Sequence, residues 1–148
     1  MDQPAAEVRA VIAAVQPQLL QFHGQEDNVW CTQFALPFFK AIPMAGGADL
    51  VAAAAEYPNA AALLLDSHGI GEIGGQGKVF DWSTIGAGLN KNLLLAGGLN
   101  PGNVAAAVRL VRPWAVDVSS GVEKAPGIKD HALMMQFCEQ LRLIEDVG

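Results

Sequence analysis

Five short apolar runs divide the chain at intervals of about twenty to thirty residues. They cover residues 19–22, 38–42, 62–65, 93–96 and 115–118. Each run has the length of a β-strand, and each is almost continuously apolar, which is the pattern of strands buried on both faces. The sequence therefore predicts five parallel strands covered by helices.

Helical periodicity occupies segments between and beside these runs. Apolar residues recur at the spacing i, i+3, i+4, i+7, which is the pattern of an amphipathic helix. They are Val8, Val11, Ile12 and Val15 near the start, and Val104, Ala107, Val108 and Val111 before the fifth strand. A final helical stripe comprises Met134, Phe137, Cys138, Leu141 and Ile144. We expect Asn100 to cap a helix that starts at Pro101. The predicted order is one helix followed by five strand–helix units, in a single domain over residues 1–148.

Composition and charge narrow the class of protein. The chain is 51% hydrophobic and 16% charged, which excludes intrinsic disorder. A net charge of −6 and a pI near 4.8 lack the basic footprint of nucleic-acid binding. No apolar stretch approaches the roughly 18 residues of a membrane span, and the N-terminus does not resemble a secretory signal. We therefore expect no nucleic-acid partner and no membrane contact.

The two cysteines, Cys31 and Cys138, lie far apart and outside any metal-ligand spacing. We interpret both as small buried hydrophobic residues in a reducing cytoplasm. No metal site is predicted.

Two architectures fit repeated strand–helix units: an open doubly wound sheet, or part of a (β/α)₈ barrel. Periodicity does not choose between them. A full barrel needs eight strands and about 200 or more residues, so five units would leave a barrel open.

Polar residues and glycines lie where four of the five runs end. His23 follows the first run, Asp66 the third and Gly97 the fourth, while Asp117 lies in the fifth. Parallel α/β folds bind ligands beyond the carboxyl ends of their strands. We therefore expect these residues to meet at one rim.

Two glycine-containing segments at this rim are suited to an anion. Gly97-Gly98 and Ser119-Ser120-Gly121 offer exposed backbone N–H groups and hydroxyls close to predicted helix starts, as a phosphate site requires. Either motif alone is equally consistent with a tight turn. Their adjacency favours a phosphate, and the last two strands are the usual place for one in a barrel.

Asp66 ends an apolar run, where an apolar flank raises the pKa of a carboxyl group and suits it to general-acid work. Helix capping or a loop hydrogen bond is the alternative role. His23 is open to two interpretations as well, a substrate contact or a structural histidine.

The segment 67–81 is rich in glycine, and a loop of that length is usually functional, so we predict a mobile lid. Residues 69–74 match the G-x-G-x-x-G dinucleotide fingerprint. No apolar helix opens there, and no acidic residue ends the next strand, so the context of that fingerprint is absent.

Taken in order, these motifs resemble the phosphoribosylanthranilate isomerase family, whose members are (β/α)₈ barrels. The likeness runs from residue 19 onward. The segments that carry it are Gln21-Phe22-His23-Gly24 with Glu26, Leu65-Asp66-Ser67, Gly74-Gly75-Gln76-Gly77-Lys78-Val79-Phe80-Asp81-Trp82, Leu95-Ala96-Gly97-Gly98-Leu99, Val116-Asp117-Val118-Ser119-Ser120-Gly121-Val122-Glu123 and Pro126-Gly127-Ile128-Lys129-Asp130. Phe22 and Gln76 stand where the family more often has leucine and threonine.

Two family features do not occur in this sequence: a Cys-Gly-Leu-Thr strand whose cysteine is the general base, and an arginine for the anthranilate carboxylate. The resemblance therefore implies a partial barrel, with five strands corresponding to strands 4 to 8 and the first three units absent. We expect an N-terminally truncated form. Cys31 is no substitute, because it lies in a helical stretch rather than at a strand end.

The resemblance also implies an activity and a site. The reaction is the Amadori rearrangement of N-(5'-phosphoribosyl)anthranilate in tryptophan biosynthesis, with no metal or organic cofactor. Asp66 would be the general acid. The implied substrate and phosphate contacts are Gly97, Gly98, Ser120, Gly121, Asp117, Gln21, His23 and Gly75.

Two further interpretations stay open. One is a non-catalytic half-barrel that binds a phosphorylated ligand or assembles with another chain. Open barrel edges would favour self-association. The other is a flavodoxin-like nucleotide binder, which would require the order of the motifs to be ignored.

Overall fold

A parallel sheet forms the centre of the computed structural model, which describes residues 1–67, 79–86 and 88–145. Its strands lie in chain order, so each pairs with its sequence neighbour, and all four pairings are parallel. The strands are β1 (Leu20–Phe22), β2 (Phe38–Pro43), β3 (Ala62–Asp66), β4 (Leu93–Leu95) and β5 (Ala115–Val116). All five predicted strands are confirmed.

The helices agree less fully with the predicted order. They are α1 (Ala5–Val15), α2 (Asn28–Thr32), α3 (Leu50–Glu56), α4 (Val104–Val111) and α5 (His131–Glu145), with 3-10 helices at Trp82–Thr84 and Ser120–Val122. Between β3 and β4 the described residues form only the first of these 3-10 helices. The proposed lid and the G-x-G-x-x-G motif lie largely or wholly within residues 68–78, outside the described part of the chain.

The start of α4 corrects a second prediction. Asn100 was expected to cap a helix from Pro101, but α4 begins at Val104 after a turn. Asn103 accepts from the Asn100 backbone N–H at 2.8 Å and donates its side-chain amide to Gly98 O at 3.0 Å. These bonds stabilise a turn at the position where the helix was expected to begin.

A short antiparallel hairpin was not predicted. Strands β6 (Glu123–Ala125) and β7 (Ile128–Lys129) follow the second 3-10 helix. The turn contains Gly127, whose φ of +78° favours glycine. Pro126-Gly127 is a turn signal that could have identified the hairpin from sequence.

The sheet separates two apolar layers. The larger layer packs against the helices and includes Leu63 and Leu65, while the smaller includes Leu64 on the opposite face. Side chains alternate along a strand, so Asp66 lies on the same face as Leu64. Gln21 pairs in register with Phe39, which packs against the smaller layer.

The two cysteines differ in their surroundings. Cys31 is fully buried in α2, as predicted, but Cys138 is exposed. The neighbouring Phe137 takes the buried position on α5, and consecutive helical residues point in different directions.

Candidate active site

A small cavity of about 50 Å³ lies at the carboxyl ends of β3, β4 and β5. It contains most of the residues that the sequence placed at the rim. Its lining comprises Asp66, Ala96, Gly97, Gly98, Leu99, Asp117, Val118, Ser119, Ser120 and Gly121. The predicted acid and the two predicted phosphate segments therefore share one cavity.

The Gly97-Gly98 turn depends on the absence of side chains. Both residues have positive φ, +77° and +69°, which glycine adopts without strain. A Cβ at Gly97 would stand 2.6 Å from Ser67 Oγ and 2.8 Å from Asp66 Oδ1. The end of β3 and the turn after β4 are thus in direct contact, and Ser67 is a site neighbour that sequence reasoning did not single out.

Gly121 makes an equally close approach to the turn after β4. A Cβ there would clash with the Leu99 carbonyl and lie 2.8 Å from its carbon. On the same loop Lys129 Nζ donates to Ser119 O at 2.9 Å and forms an ion pair with Glu123 at 2.7 Å. The two predicted phosphate segments are therefore packed against each other, and Lys129 holds one of them in place.

Asp66 is buried at the end of β3, where its side chain meets a histidine. His23 Nε2 lies 3.3 Å from Asp66 Oδ2. On the other side of the ring, Gln21 Nε2 lies 3.2 Å from His23 Nδ1. Three predicted site residues thus form one line of polar contacts, from the edge strand β1 to β3.

A buried ion pair supports the loop that carries His23. Lys40 Nζ lies 3.2 Å from Glu26 Oε2 and also donates to Gly24 O. Glu26 in turn accepts from the backbone N–H groups of Gly24 at 2.8 Å and Asp2 at 2.9 Å. Lys40 was counted only as part of an apolar run, although a lysine in such a run is itself a signal, because lysine is almost never buried without a partner.

The titration of Glu26 and Cys31 reflects these surroundings. Burial raises the pKa of Glu26, but hydrogen bonds from backbone groups including Asp2, and the charge of Lys40, outweigh it, so the pKa lies below its ordinary value of 4.5. Burial raises the pKa of the Cys31 thiol to about 11. Cys31 is therefore a neutral thiol near pH 7 and unsuited to act as a base.

Every predicted site residue but one lies in the described part of the chain. Gly75 falls within residues 68–78, outside it. Asp66, Gly97, Gly98, Asp117, Ser120 and Gly121 line the cavity. Gln21 and His23 reach it through Asp66.

Two features of the described residues bear on other functions. They contain no cluster of three or more His, Cys, Asp or Glu side chains that could hold a metal ion. Within the same ranges, every helix is too short or too polar to cross a membrane.

Relatives of known activity match most of this chain. A relative from Xanthomonas oryzae, "N-(5'-phosphoribosyl)anthranilate isomerase", is 51% identical over 142 residues, covering 92% of this chain and 64% of the relative. One of the same name from Hahella chejuensis is 52% identical over 137 residues, covering 93% and 64%. The chain thus spans a little under two thirds of the length of these relatives.

Solved structures agree with the sequence matches. Phosphoribosyl anthranilate isomerase from Thermotoga maritima superimposes with a TM-score of 0.82 at 38% identity, covering 96% of this chain and 70% of that one. A second such isomerase, in complex with reduced 1-(o-carboxyphenylamino)-1-deoxyribulose 5-phosphate, gives a TM-score of 0.74 at 33% identity, covering 95% and 68%.

The family model described as N-(5'phosphoribosyl)anthranilate (PRA) isomerase matches residues 1–140. This match includes all the rim segments described above and the first two thirds of α5. The chain belongs to the phosphoribosylanthranilate isomerase family.

Proposed function

We propose that this chain carries the acid and phosphate-binding part of an N-(5'-phosphoribosyl)anthranilate isomerase. The observation that carries the proposal is the shared cavity, in which Asp66 lies beside the Gly97-Gly98 turn and the Ser120-Gly121 segment. An acid and an anion site that line the same cavity suit a small sugar phosphate. The family match supports the same reaction.

The first half of the reaction falls to Asp66. Its carboxyl proton passes to the furanose ring oxygen as the bond between that oxygen and C1 breaks. The nitrogen lone pair of the substrate forms the C1=N double bond, giving an open-chain iminium ion. Positioned proton transfer of this kind contributes about 10² to 10⁴ in rate.

The second half needs a base. Removal of the C2 proton sends its electron pair into a C1=C2 bond and neutralises the iminium nitrogen. The resulting enol amine becomes the ketone when C1 gains a proton and the C2 hydroxyl loses its own, so that the C1=C2 bond is replaced by a C2=O bond. The family resemblance assigns the base to a Cys-Gly-Leu-Thr strand, a motif outside these 148 residues.

The phosphate would lie against the two glycine-containing segments. The backbone N–H groups of glycine can approach an anion closely, because no Cβ stands in the way. Gly97 and Gly98 provide two such groups. Ser120 adds a hydroxyl on the facing loop. Asp117 lines the same cavity, and we propose that it faces the sugar.

The test is an isomerase assay on the chain alone and on the chain mixed with the segment of the Xanthomonas oryzae relative that it does not match. We expect no measurable turnover from the chain alone, because the resemblance places the base and the anthranilate-binding arginine in that segment. The mixture should regain turnover, and Asp66→Asn should lower it by about 10² to 10⁴.

Asp130→Asn is the matched control, since it removes the same charge from a residue outside the cavity that caps α5 through Ala132 N. Asparagine is also a good N-cap, so turnover should be unchanged. Robust turnover by the chain alone, or equal turnover with Asp66→Asn, contradicts the proposed roles.

We also propose that β1 to β5 correspond to strands 4 to 8 of the family barrel, in one incomplete barrel domain over residues 1–148. Among the described residues β1 and β5 are the sheet edges. An apolar cavity of about 390 Å³ lies beside β1, and Trp114 next to β5 is 62% exposed.

Such edges favour pairing with a second copy of the chain. We therefore expect dimers or larger species in light scattering at micromolar concentration. A stable, monodisperse monomer contradicts this part of the proposal. A cytoplasmic location, which two free cysteines favour, completes the proposed function.

A further inference from the structure

Gln21, His23 and Asp66 form a line of polar contacts in which each contact affects the position of a proton in the next. Gln21 and His23 are two residues apart on β1 and its end, so their side chains leave the same face of the sheet. That face also carries Asp66 at the end of β3. The contacts are 3.2 Å from Gln21 Nε2 to His23 Nδ1 and 3.3 Å from His23 Nε2 to Asp66 Oδ2.

The first contact determines which ring nitrogen carries the proton. An amide nitrogen only donates, so His23 Nδ1 must accept the hydrogen bond from Gln21. In a neutral imidazole the other nitrogen then holds the proton. His23 Nε2–H therefore lies 3.3 Å from Asp66 Oδ2.

The second contact determines how the carboxyl group of Asp66 is presented. The carboxyl oxygen beside the positive end of the Nε2–H dipole is the poorer place for the carboxyl proton, so the proton belongs on Oδ1. A Cβ at Gly97 would lie 2.8 Å from Oδ1, and Oδ2 is not among the nearest atoms. Oδ1 is thus the oxygen nearer the Gly97 turn that lines the cavity.

We propose that Gln21 and His23 are positioning residues for the general acid. Gln21 fixes the tautomer of His23, and His23 directs the acidic proton of Asp66 to the oxygen beside Gly97. This inference rests on the proposed function for its catalytic meaning, but the tautomer can be measured without activity. It gives both residues a role other than the direct substrate contact that the family resemblance implied.

Other titratable groups also lie near the imidazole ring of His23. His23 also lines a cavity of about 490 Å³. The other titratable residues of its lining are Met1 with its amino group, Asp2, Lys40, Asp49, Glu56 and Tyr57. Asp117 is the further carboxylate that lines the Asp66 cavity. Asp66 is the acidic residue whose side chain contacts the His23 ring, at 3.3 Å.

The direct test is NMR of the full chain labelled with ¹⁵N-histidine. Two-bond ¹H–¹⁵N correlations distinguish the two neutral tautomers and the imidazolium ion, and His23→Gln assigns the signal. We expect the Nε2–H tautomer in the wild-type chain near pH 8. In Gln21→Glu the amide donor is replaced by a carboxylate, which only accepts, so Nδ1 should carry a proton.

Gln21→Met removes the donor without adding a charge and serves as the matched variant. The ring should then become a mixture of tautomers. His131, exposed at the start of α5, is the internal control and should not change. Gln21 is itself exposed, so all variants should keep their melting temperature.

Kinetics add a readout that separates positioning from substrate contact. In the mixed isomerase assay, Gln21→Glu should lower kcat by about tenfold, a part of the 10² to 10⁴ that an acid supplies, with KM within about twofold. A substrate contact would instead raise KM.

An Nδ1–H tautomer in the wild-type chain, or an unchanged ring in Gln21→Glu, overturns the inference whatever the activity. The expected spectra without any isomerase activity would support the inferred tautomer of His23 and refute the proposed function instead.

Discussion

Helices α1 and α4 arise from the same apolar spacing but differ in how they are held. In α4, Val104 and Ala107 are completely buried. In α1, Val11 is 56% and Val15 68% exposed, and no residue of the helix is buried. The pattern therefore predicts a helix and its apolar face, but the coverage of that face depends on the elements next to it.

The neighbours explain the difference. Helix α4 contacts α5 and the 3-10 helix Trp82–Thr84. Helix α1 packs Ala5, Val8 and Ile12 against the larger apolar layer only partly buried. Polar contacts add to this: Arg9 donates to Gln33 at 3.2 Å, and Asp2 N donates to Glu26 at 2.9 Å. The apolar contact of α4 is thus complete, whereas that of α1 is partial and is supplemented by charges and hydrogen bonds.

The substitution expected to lower the free energy of unfolding most is Glu26→Gln, in the polar contacts next to the N-terminal region. This change leaves Lys40 buried without its countercharge, which costs about 3–5 kcal/mol of unfolding free energy. Because the pKa of Glu26 is lowered by folding, its contribution is present above the unfolded pKa of about 4.3. It is lost as the pH falls through the lower folded value. Denaturant unfolding of both chains at pH 7 and below pH 4 measures this, and the difference should shrink in acid.

Glu123→Gln is the control for that measurement, since Glu123 forms an ion pair of 2.7 Å with the more exposed Lys129. Its cost should be much smaller than that of Glu26→Gln, because solvent screens an exposed ion pair. Equal costs for the two variants would show that the N-terminal region does not depend on its buried pair.

The second largest effect is expected for Gly98→Val, which should weaken ligand binding at the turn before α4. At φ +69° a β-branched residue is strained, and the packed α4 leaves the turn little room to adjust. Loss of one charged hydrogen bond, about 1.5–3 kcal/mol, should weaken binding of the reduced deoxyribulose phosphate analogue by about 10- to 100-fold. Calorimetric titration measures it.

Gly88→Val is the matched control, because Gly88 has φ +90° and open space around it, on the loop before β4. It should bind like the wild-type chain. Equal affinity of Gly98→Val and the wild-type chain would remove this turn from the phosphate site.

The strands and most of the site could be predicted because their signals are local. A continuous apolar run identifies β3, and the polar residue at its end identifies Asp66. The contact between Glu26 and Lys40 joins residues 14 apart, and no spacing rule predicts it. The start of α4 was misplaced because the side chains of Asn100 and Asn103 both bond the turn that precedes the helix, where Asn100 Oδ1 accepts from Gly102 N and Asn103 Oδ1 accepts from Asn100 N. Periodicity also does not predict how exposed α1 is, because that depends on the elements that pack against the helix.

The smallest effect tests the comparison of the two helices directly. Val104→Ala removes two buried methyl groups, worth about 0.8 kcal/mol each, so it should cost about 1.5 kcal/mol or more with the cavity it leaves. Val11→Ala removes the same atoms from an exposed site and should stay within about 0.5 kcal/mol. Denaturant midpoints of the two variants, measured at low protein concentration, give the difference. A large cost for Val11→Ala that grows with protein concentration would mean that a second copy covers α1, and the contrast between the helices would then hold for the monomer alone.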